Sequence, residues 1–191
     1  MRALRLLILG SSLLLGFPAW AGGVLLPDKS SIQFVSVKNA AVAEVHHFTG
    51  ITGWIDDEGR VMVNIPLVSV ETMIPIRNER MRELFFETAT FPAATIEADI
   101  DMKAVTALAN GEYTTMQVLF ELNLHGQHVM LESTVSVARL GNEIHVDTLQ
   151  PLLINVSSFE LVDGVERLRE VAGLKNIATA VPVTANLVFE F

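Results

Sequence analysis

The chain has 191 residues, half of them apolar, and carries a formal net charge of −9 with 22 acidic and 13 basic residues. This length fits one domain with a sizeable core, and the apolar content excludes a disordered chain. An acidic chain without Lys/Arg clusters repels phosphate backbones, so no nucleic-acid partner is expected. The absence of cysteine excludes disulfides, thiolate metal sites and a Cys nucleophile.

The first 21 residues predict a secretory signal peptide. Arg2 and Arg5 precede an apolar run over 6–16, and residues 18–21 supply a helix-breaking proline and an A-x-A cleavage site. The run is shorter than the ~20 residues that span a bilayer, so a leader cleaved after Ala21 is favoured over an anchor. We therefore predict an exported protein, and this leader pattern in a chain without disulfides fits a bacterial periplasm.

After residue 22 the dominant pattern is an alternation of apolar and polar residues, which is typical of β-strands with one buried face. The alternation predicts an antiparallel sheet, because strands of buried parallel sheets are apolar on both faces. The clearest example is 181–190, where Val181, Val183, Ala185 and Leu187 share one face. In chain order, the predicted strands are 31–38, 42–49, 51–56, 61–66, 94–105, 113–124, 129–138, 143–148 and 181–190.

Tight turns separate most of these strands. Glycine-containing turns at 57–59, 110–111, 125–127 and 140–142 are typical of hairpins. About eight strands joined in this way indicate a meander, and closure into a barrel removes its exposed edges. We therefore predict one mainly β domain over 22–191, an eight-stranded antiparallel barrel with one or two short helices.

Two segments have helical rather than strand periodicity. Apolar residues recur at three- or four-residue steps in 77–86 and in 159–172, and charged residues occupy the other side of each segment. Both are interpreted as short lids or plugs on the sheet. The apolar face of the second is predicted to carry Val162, Val165, Leu168 and Val171. The sequence leaves open whether the helix over Val162–Ala172 caps an internal cavity or blocks it.

The histidines do not indicate a metal site. His46 and His47 are adjacent in a strand and point to opposite faces, while His125 and His128 straddle a tight turn. No metal-ligand motif, nucleophile motif or phosphate-binding loop accompanies them. We therefore predict no catalytic residue, no metal and no cofactor. One of the two adjacent histidines must face inward, and His47 is predicted as that polar contact.

Arg77 is the most unusual charged residue of the chain. It lies at the start of the first predicted helix, where a cation is unfavourable against the positive end of the helix dipole. We expect another group to hold it, either a ligand head group or a buried carboxylate. Arg80 and Arg82 are instead expected to pair with Glu79 and Glu83 on a solvated face.

Several short motifs follow one another in a characteristic order. They are Ser69-Val70-Glu71-Thr72, Arg77-Asn78, Met81, Leu84-Phe85-Phe86, Phe91-Pro92-Ala93-Ala94-Thr95-Ile96 and Leu122-Asn123-Leu124-His125-Gly126, with Ser31, Phe34 and 48–53 before them. In this order and spacing the chain resembles the YceI-like family of polyisoprenoid-binding, lipocalin-like proteins over about residues 24–191. The resemblance implies an eight-stranded antiparallel, lipocalin-like barrel whose elongated cavity holds a polyprenyl chain or another amphiphile.

We therefore expect a binding protein that holds a polyisoprenoid or similar amphiphilic lipid and catalyses no reaction. The predicted ligand-binding residues are Phe34, His47, Phe48, Arg77, Phe85, Phe91, Phe120, Leu122 and Phe159. Two alternatives stay open, a catalytic barrel acting on a lipid substrate and an interaction module with a filled interior. A membrane-associated partner protein would fit the second alternative. The sequence does not decide the oligomeric state, a homodimer included.

Overall fold

The computed structural model describes residues 22–191, so the predicted leader and its cleavage site lie outside the described residues. The strands are β1 (Gly23–Leu25), β2 (Ser31–Lys38), β3 (Val42–Phe48), β4 (Thr52–Ile55), β5 (Arg60–Pro66), β6 (Val70–Glu71), β7 (Ala93–Asp99), β8 (Tyr113–Leu124), β9 (Gln127–Leu140), β10 (Glu143–Thr148), β11 (Leu152–Asn155) and β12 (Ala180–Glu190). The α-helices are α1 (Pro75–Arg80), α2 (Met102–Thr106) and α3 (Val162–Val171). Shorter helical segments are Pro27–Lys29, Leu67–Ser69 and Val156–Phe159, which are 3₁₀, and Met81–Phe85, which is π-helical.

The strands form one antiparallel sheet that closes on itself. The twelve strands make eight barrel strands, because four of the eight are interrupted and each consists of two consecutive strands. The interrupted barrel strands are β1 with β2, β3 with β4, β5 with β6, and β10 with β11, and the continuous ones are β7, β8, β9 and β12. Each barrel strand pairs with the next along the chain, and β12 pairs back onto β1 and β2, through Glu190 with Val24 and Val183 with Phe34. The prediction of an eight-stranded antiparallel barrel is confirmed.

Proline or glycine stands at each interruption. Pro27 begins the 3₁₀ turn between β1 and β2, and Gly50, with φ of 65°, separates β3 from β4. Pro66 ends β5, and Pro151 precedes β11. Proline cannot donate to the ladder, and glycine adopts the positive φ without strain, so these residues bend the strands at the corners of a narrow barrel.

The paired segments between neighbouring barrel strands, which we call joints, differ in length. The β8–β9 hairpin pairs twelve residues on each strand, whereas β7 pairs with β8 only through 95–98 against 120–123. The prediction of a strand over 94–105 is wrong at its end, because β7 stops at Asp99. The Asp101 side chain accepts a hydrogen bond from Lys103 N at 3.0 Å and caps α2, which competes with a longer strand.

Helices lie at both ends of the barrel. Helix α2 lies at the end where β7 stops, while α1, the π-helical segment and α3 lie at the opposite end, with β6 and β11. Helix α1 begins at Pro75, earlier than predicted, because proline fits the first helical position. Helix α3 packs closely on the π-helical segment, since a Cβ at Gly164 would lie 3.1 Å from Leu84 O. No helix in residues 22–191 is long and apolar enough to cross a bilayer.

A candidate ligand cavity inside the barrel

The barrel encloses a cavity of about 540 Å³ to which every barrel strand contributes side chains. All but eight of its lining residues are apolar. The alternation read from the sequence accounts for this lining, because the inward residues of β12 and β8 are those on the predicted apolar faces. The volume falls within the ~300–1,000 Å³ of typical small-molecule sites.

One end of the cavity is closed and apolar. Val105 of α2 is buried there against Val135, Val137 and Ile144, and these four residues form a small cluster of their own. None of them carries a polar side chain. A hydrocarbon chain could therefore approach α2 without leaving a buried polar group unsatisfied.

Helix α3 caps the other end and does not fill the cavity. Leu161, Val165, Leu168 and Ala172 line the cavity, whereas the predicted Val162 and Val171 are exposed. The prediction of a face at three-residue steps is therefore half wrong. An α-helix turns once every 3.6 residues, so steps of four and three keep side chains on one face while uniform steps of three drift away from it.

Polar lining residues are concentrated at the end opposite α2, which we call the mouth. The Glu44 carboxylate accepts hydrogen bonds from Lys38 Nζ at 2.6 Å and from Arg77 Nη1 at 2.7 Å. The bond from Lys38 is the main cause that lowers the pKa of Glu44 below its usual range, and the Arg77 charge adds to it. With Glu44 ionised, these three residues carry one net positive charge, and Arg80 also lines the mouth.

Arg77 is held by a carboxylate and a backbone carbonyl. Its Nη1 donates to the Glu44 carboxylate and its Nη2 donates to Thr72 O at 2.5 Å. The group that holds Arg77 is therefore a carboxylate, as one of the two alternatives expected, but this carboxylate is partly exposed rather than buried, with 30% of its side chain accessible. Its Nε is buried without a hydrogen-bond partner in the described part of the chain. The expected ion pairs of Arg80 and Arg82 are wrong: Arg80 lines the cavity, and Arg82 Nε donates to Asn78 O.

His46 lies beside this group and is almost completely buried, with 2% of its surface exposed. Its Nε2 is 2.8 Å from Ser36 Oγ, and its Nδ1 has no hydrogen-bond partner among residues 22–191. Burial, together with the nearby Arg77 charge, lowers the pKa of His46 to about 4. The imidazole is therefore neutral at pH 7 and offers an unused nitrogen at the mouth.

Comparison with known proteins identifies the family. The sequence matches the YceI-like domain over residues 24–189. The chain belongs to the YceI-like family. A solved polyisoprenoid binding domain from Saccharophagus degradans, implicated in plant cell wall breakdown, is 38% identical and superposes with a TM-score of 0.86, covering 90% of this chain and 98% of that one. BcnA of Burkholderia cenocepacia has the same fold, with 20% identity and a TM-score of 0.67 over 86% of this chain and 98% of its own. No curated protein matched the chain.

Six of the nine predicted ligand-binding residues lie on the wall of the YceI-like cavity. They are Phe34, Phe48, Arg77, Phe85, Phe120 and Leu122. Their contact with a ligand stays a prediction. In the described part of the chain no three His, Asp or Glu side chains converge as a metal site would require.

The other three predicted residues do not line the cavity. His47 is on the outer face of β3 opposite Glu71, because its neighbour His46 takes the inward position. Phe91 packs on His125 in a tilted arrangement with 4.2 Å between ring centroids, and it covers the turn at Gly126. Phe159 is 1% exposed but packs within the core instead of facing the cavity.

The sequence motif around Thr72 has a structural role in this YceI-like barrel. Asn78 Oδ1 accepts hydrogen bonds from Thr72 N at 2.8 Å and from Thr72 Oγ1 at 2.5 Å, and both residues are buried. This contact ties α1 to the end of β6 and so directs Arg77 towards Glu44. The sequence prediction omitted Lys38, Glu44 and His46, although their alternation with Phe34 and Phe48 on β2 and β3 could have indicated a polar patch on an inward face.

The low pKa of His46 predicts a pH-dependent stability. Between pH 6.5 and about 4 the unfolded chain binds a proton at His46 that the folded barrel does not. The free energy of unfolding should therefore fall as the pH is lowered through this range, by at most ~3 kcal/mol from this group. Urea unfolding at a series of pH values gives the free energy of unfolding as a function of pH, and the slope of this function should be smaller for His46→Gln than for the wild type. His128→Gln, at an exposed position, is the control, and equal slopes for all three proteins would contradict the assignment.

Proposed function

We propose that this YceI-like protein is a carrier that holds a long amphiphilic lipid, of the polyisoprenoid type, inside its barrel and catalyses no reaction. The observation that carries the proposal is the almost entirely apolar lining that runs from the mouth to α2. Transfer of ~200 Å² of hydrocarbon from water into such a lining gains about 5 kcal/mol before the entropic costs of binding. The polyisoprenoid binding of the domain from Saccharophagus degradans supports the choice of ligand.

The positions of the polar residues favour one orientation of the ligand. His46 Nδ1 and Arg77 Nε are buried at the mouth without partners among residues 22–191, so a polar head group there would satisfy them. The Val105 end offers only apolar contacts for the tail. We therefore place the head group beside His46 and Arg77, and the hydrocarbon chain along the barrel axis.

The cavity bears on both alternatives considered from the sequence. An interaction module with a filled interior does not agree with about 540 Å³ of open space. A catalytic barrel needs a nucleophile and a base facing the cavity, and Ser36 with His46 is such a pair. However, burial lowers the pKa of His46 to about 4, and no carboxylate of residues 22–191 orients its Nδ1, so this imidazole would be a weak base near pH 7.

We also propose that the carrier is exported to a bacterial periplasm and starts at Gly22 after removal of the leader. The charged start, the apolar run and the A-x-A site of residues 1–21 support this location. In that location a protein that shields a long hydrocarbon chain would let it cross water.

The proposal predicts that the protein is purified together with a lipid. Organic-solvent extraction of protein beginning at Gly22, followed by mass spectrometry, should yield a long-chain isoprenoid or related amphiphile in near-stoichiometric amount. Stripped protein should bind the extracted lipid again. If no lipid is extracted, and stripped protein binds neither polyprenol nor polyprenyl phosphate, the carrier function is wrong.

A further inference from the structure

Three exposed segments surround the mouth of the cavity, and we call them the rim: 39–43, 73–76 and 171–176. The first is joined to the third by hydrogen bonds from Asn39 N to Asn176 O and from Ala40 N to Asn176 Oδ1. The second and third contribute lining residues to the same cavity, Ile74 and Ile76 from one, Ala172 and Leu174 from the other. The first and third segments are therefore in direct contact, and the second faces the same opening.

The rim is apolar although the chain is acidic. Its one charged residue is Lys175, and it has no acidic residue, whereas the whole chain has 22. Val42, Met73, Ile74, Ile76 and Val171 are all large apolar residues that are exposed. Scattered apolar residues on a surface need no explanation, but a set gathered around the opening of an apolar cavity marks an interaction site.

Met73 is held in an unfavourable position at the tip of the rim. It is 80% exposed and has a φ of 63°, in the left-handed region that residues with a Cβ rarely adopt. A hydrogen bond from Met73 N to Glu71 Oε1 at 2.5 Å fixes this conformation. Backbone strain that holds an apolar side chain in solvent is characteristic of functional surfaces.

We propose that the rim docks the barrel onto a lipid bilayer, with Met73, Ile74 and Ile76 among the acyl chains. The inference rests on the proposed function, because a lipid that leaves the bilayer through the rim enters the cavity without crossing water. Within the three segments Lys175 is the one charged residue, and the flanking Lys38, Glu44 and Arg77 are paired with one another and only 24–30% exposed. Such a surface fits the interior of a bilayer better than a charged protein partner. Binding should therefore occur on uncharged phosphatidylcholine vesicles and depend little on salt.

Vesicle flotation tests the proposal with protein beginning at Gly22, which includes every strand of the closed barrel. The double variant Met73→Asn/Ile76→Ser should partition into phosphatidylcholine vesicles about tenfold less than the wild type, because it removes two apolar side chains from the contact. Asparagine is chosen because it tolerates the positive φ. The matched control is Leu119→Ser/Met130→Ser, which removes a 60% and a 55% exposed side chain from the outer wall of β8 and β9 and should float as the wild type does.

A depth measurement gives an independent readout. Ile76→Trp should be quenched by brominated phosphatidylcholine vesicles, whereas Leu119→Trp should not be, with Trp54 present in both proteins as a common background. Light scattering without vesicles measures self-association of the same variants.

The outcomes separate the possibilities. Unchanged flotation of the rim variant, or an equal loss in the control pair, would overturn bilayer docking. Self-association that depends on the rim, without vesicle binding, would overturn it in favour of contact between two copies of the chain. Lipid that is extracted from a protein unable to float would overturn docking alone and leave the carrier function intact.

Discussion

Substitution of Ala185 by tryptophan is expected to abolish ligand loading while the barrel stays folded. Ala185 lies halfway along β12 with its side chain on the cavity wall, so an indole there would obstruct the cavity at mid-length. Its backbone N donates a hydrogen bond to Thr148 Oγ1, and its backbone O accepts one from the same hydroxyl. The substitution leaves both bonds in place. Overpacking costs about 1–3 kcal/mol in a filled core, and open space lowers that cost here. The measurement is the amount of lipid extracted per protein, by mass spectrometry.

The same strand offers a matched control for this experiment. Ala180 is exposed on the outside of β12, opposite Asn155 of β11, so Ala180→Trp adds the same indole without entering the cavity. This variant should carry as much lipid as the wild type. Thermal unfolding should show both variants folded. If folded Ala185→Trp retained its full lipid content, the interior of the barrel would not be the binding site.

Removal of the Asn78 side chain is expected to lower the free energy of unfolding by about 2–4 kcal/mol. Asn78 is 7% exposed, and its Oδ1 accepts from both donors of Thr72. Asn78→Ala would leave the Thr72 amide buried without an acceptor, at ~1–3 kcal/mol. The Thr72 hydroxyl would keep only the long contact to Ile74 O at 3.4 Å, and the loss of its bond to Asn78 adds about 1 kcal/mol. The loss should be measured by urea unfolding. Lipid content should also fall, because this Thr72–Asn78 contact, which we call the clamp, sets the position of Arg77.

Two further variants make the test specific. Gln117→Ala removes an amide from an exposed position on β8 and should change the free energy of unfolding by less than about 0.5 kcal/mol. Thr72→Val combined with Asn78→Ala should cost less than the sum of the single substitutions, since the two side chains act on one contact. Additive losses, or an Asn78→Ala protein as stable as the wild type, would contradict the clamp.

The sequence predicted the strands well where every second residue is apolar. The bounds of β2, β8 and β10 are those expected, because each has one face on the cavity and one in solvent, which the alternation records directly. The short strands β1, β6 and β11 were not predicted. Two to four residues are too few to establish a period, and their pairing depends on neighbours distant in the chain.

The candidate site was predicted less completely than the fold. Alternation establishes that His46 and His47 point to opposite faces but not which of them faces inward, and that choice requires the register of β2 against β3. Phe91 and Phe159 are both aromatic, but apolar character alone does not distinguish a cavity wall from the packed core beside it. The Glu44 partner of Arg77 lies 33 residues earlier in the chain, a separation that local patterns do not reveal.

The short joint between β7 and β8 has a consequence for how this molecule unfolds and aggregates. Only four residue pairs hold it, fewer than hold any other joint of the closed ring in residues 22–191. On heating, separation there breaks the fewest residue pairs, and we expect it to uncover Ile96 and Phe120 first. Two molecules opened in this way would present complementary free strand edges to each other, so aggregation of the empty protein should begin at this wall rather than at the long β8–β9 hairpin.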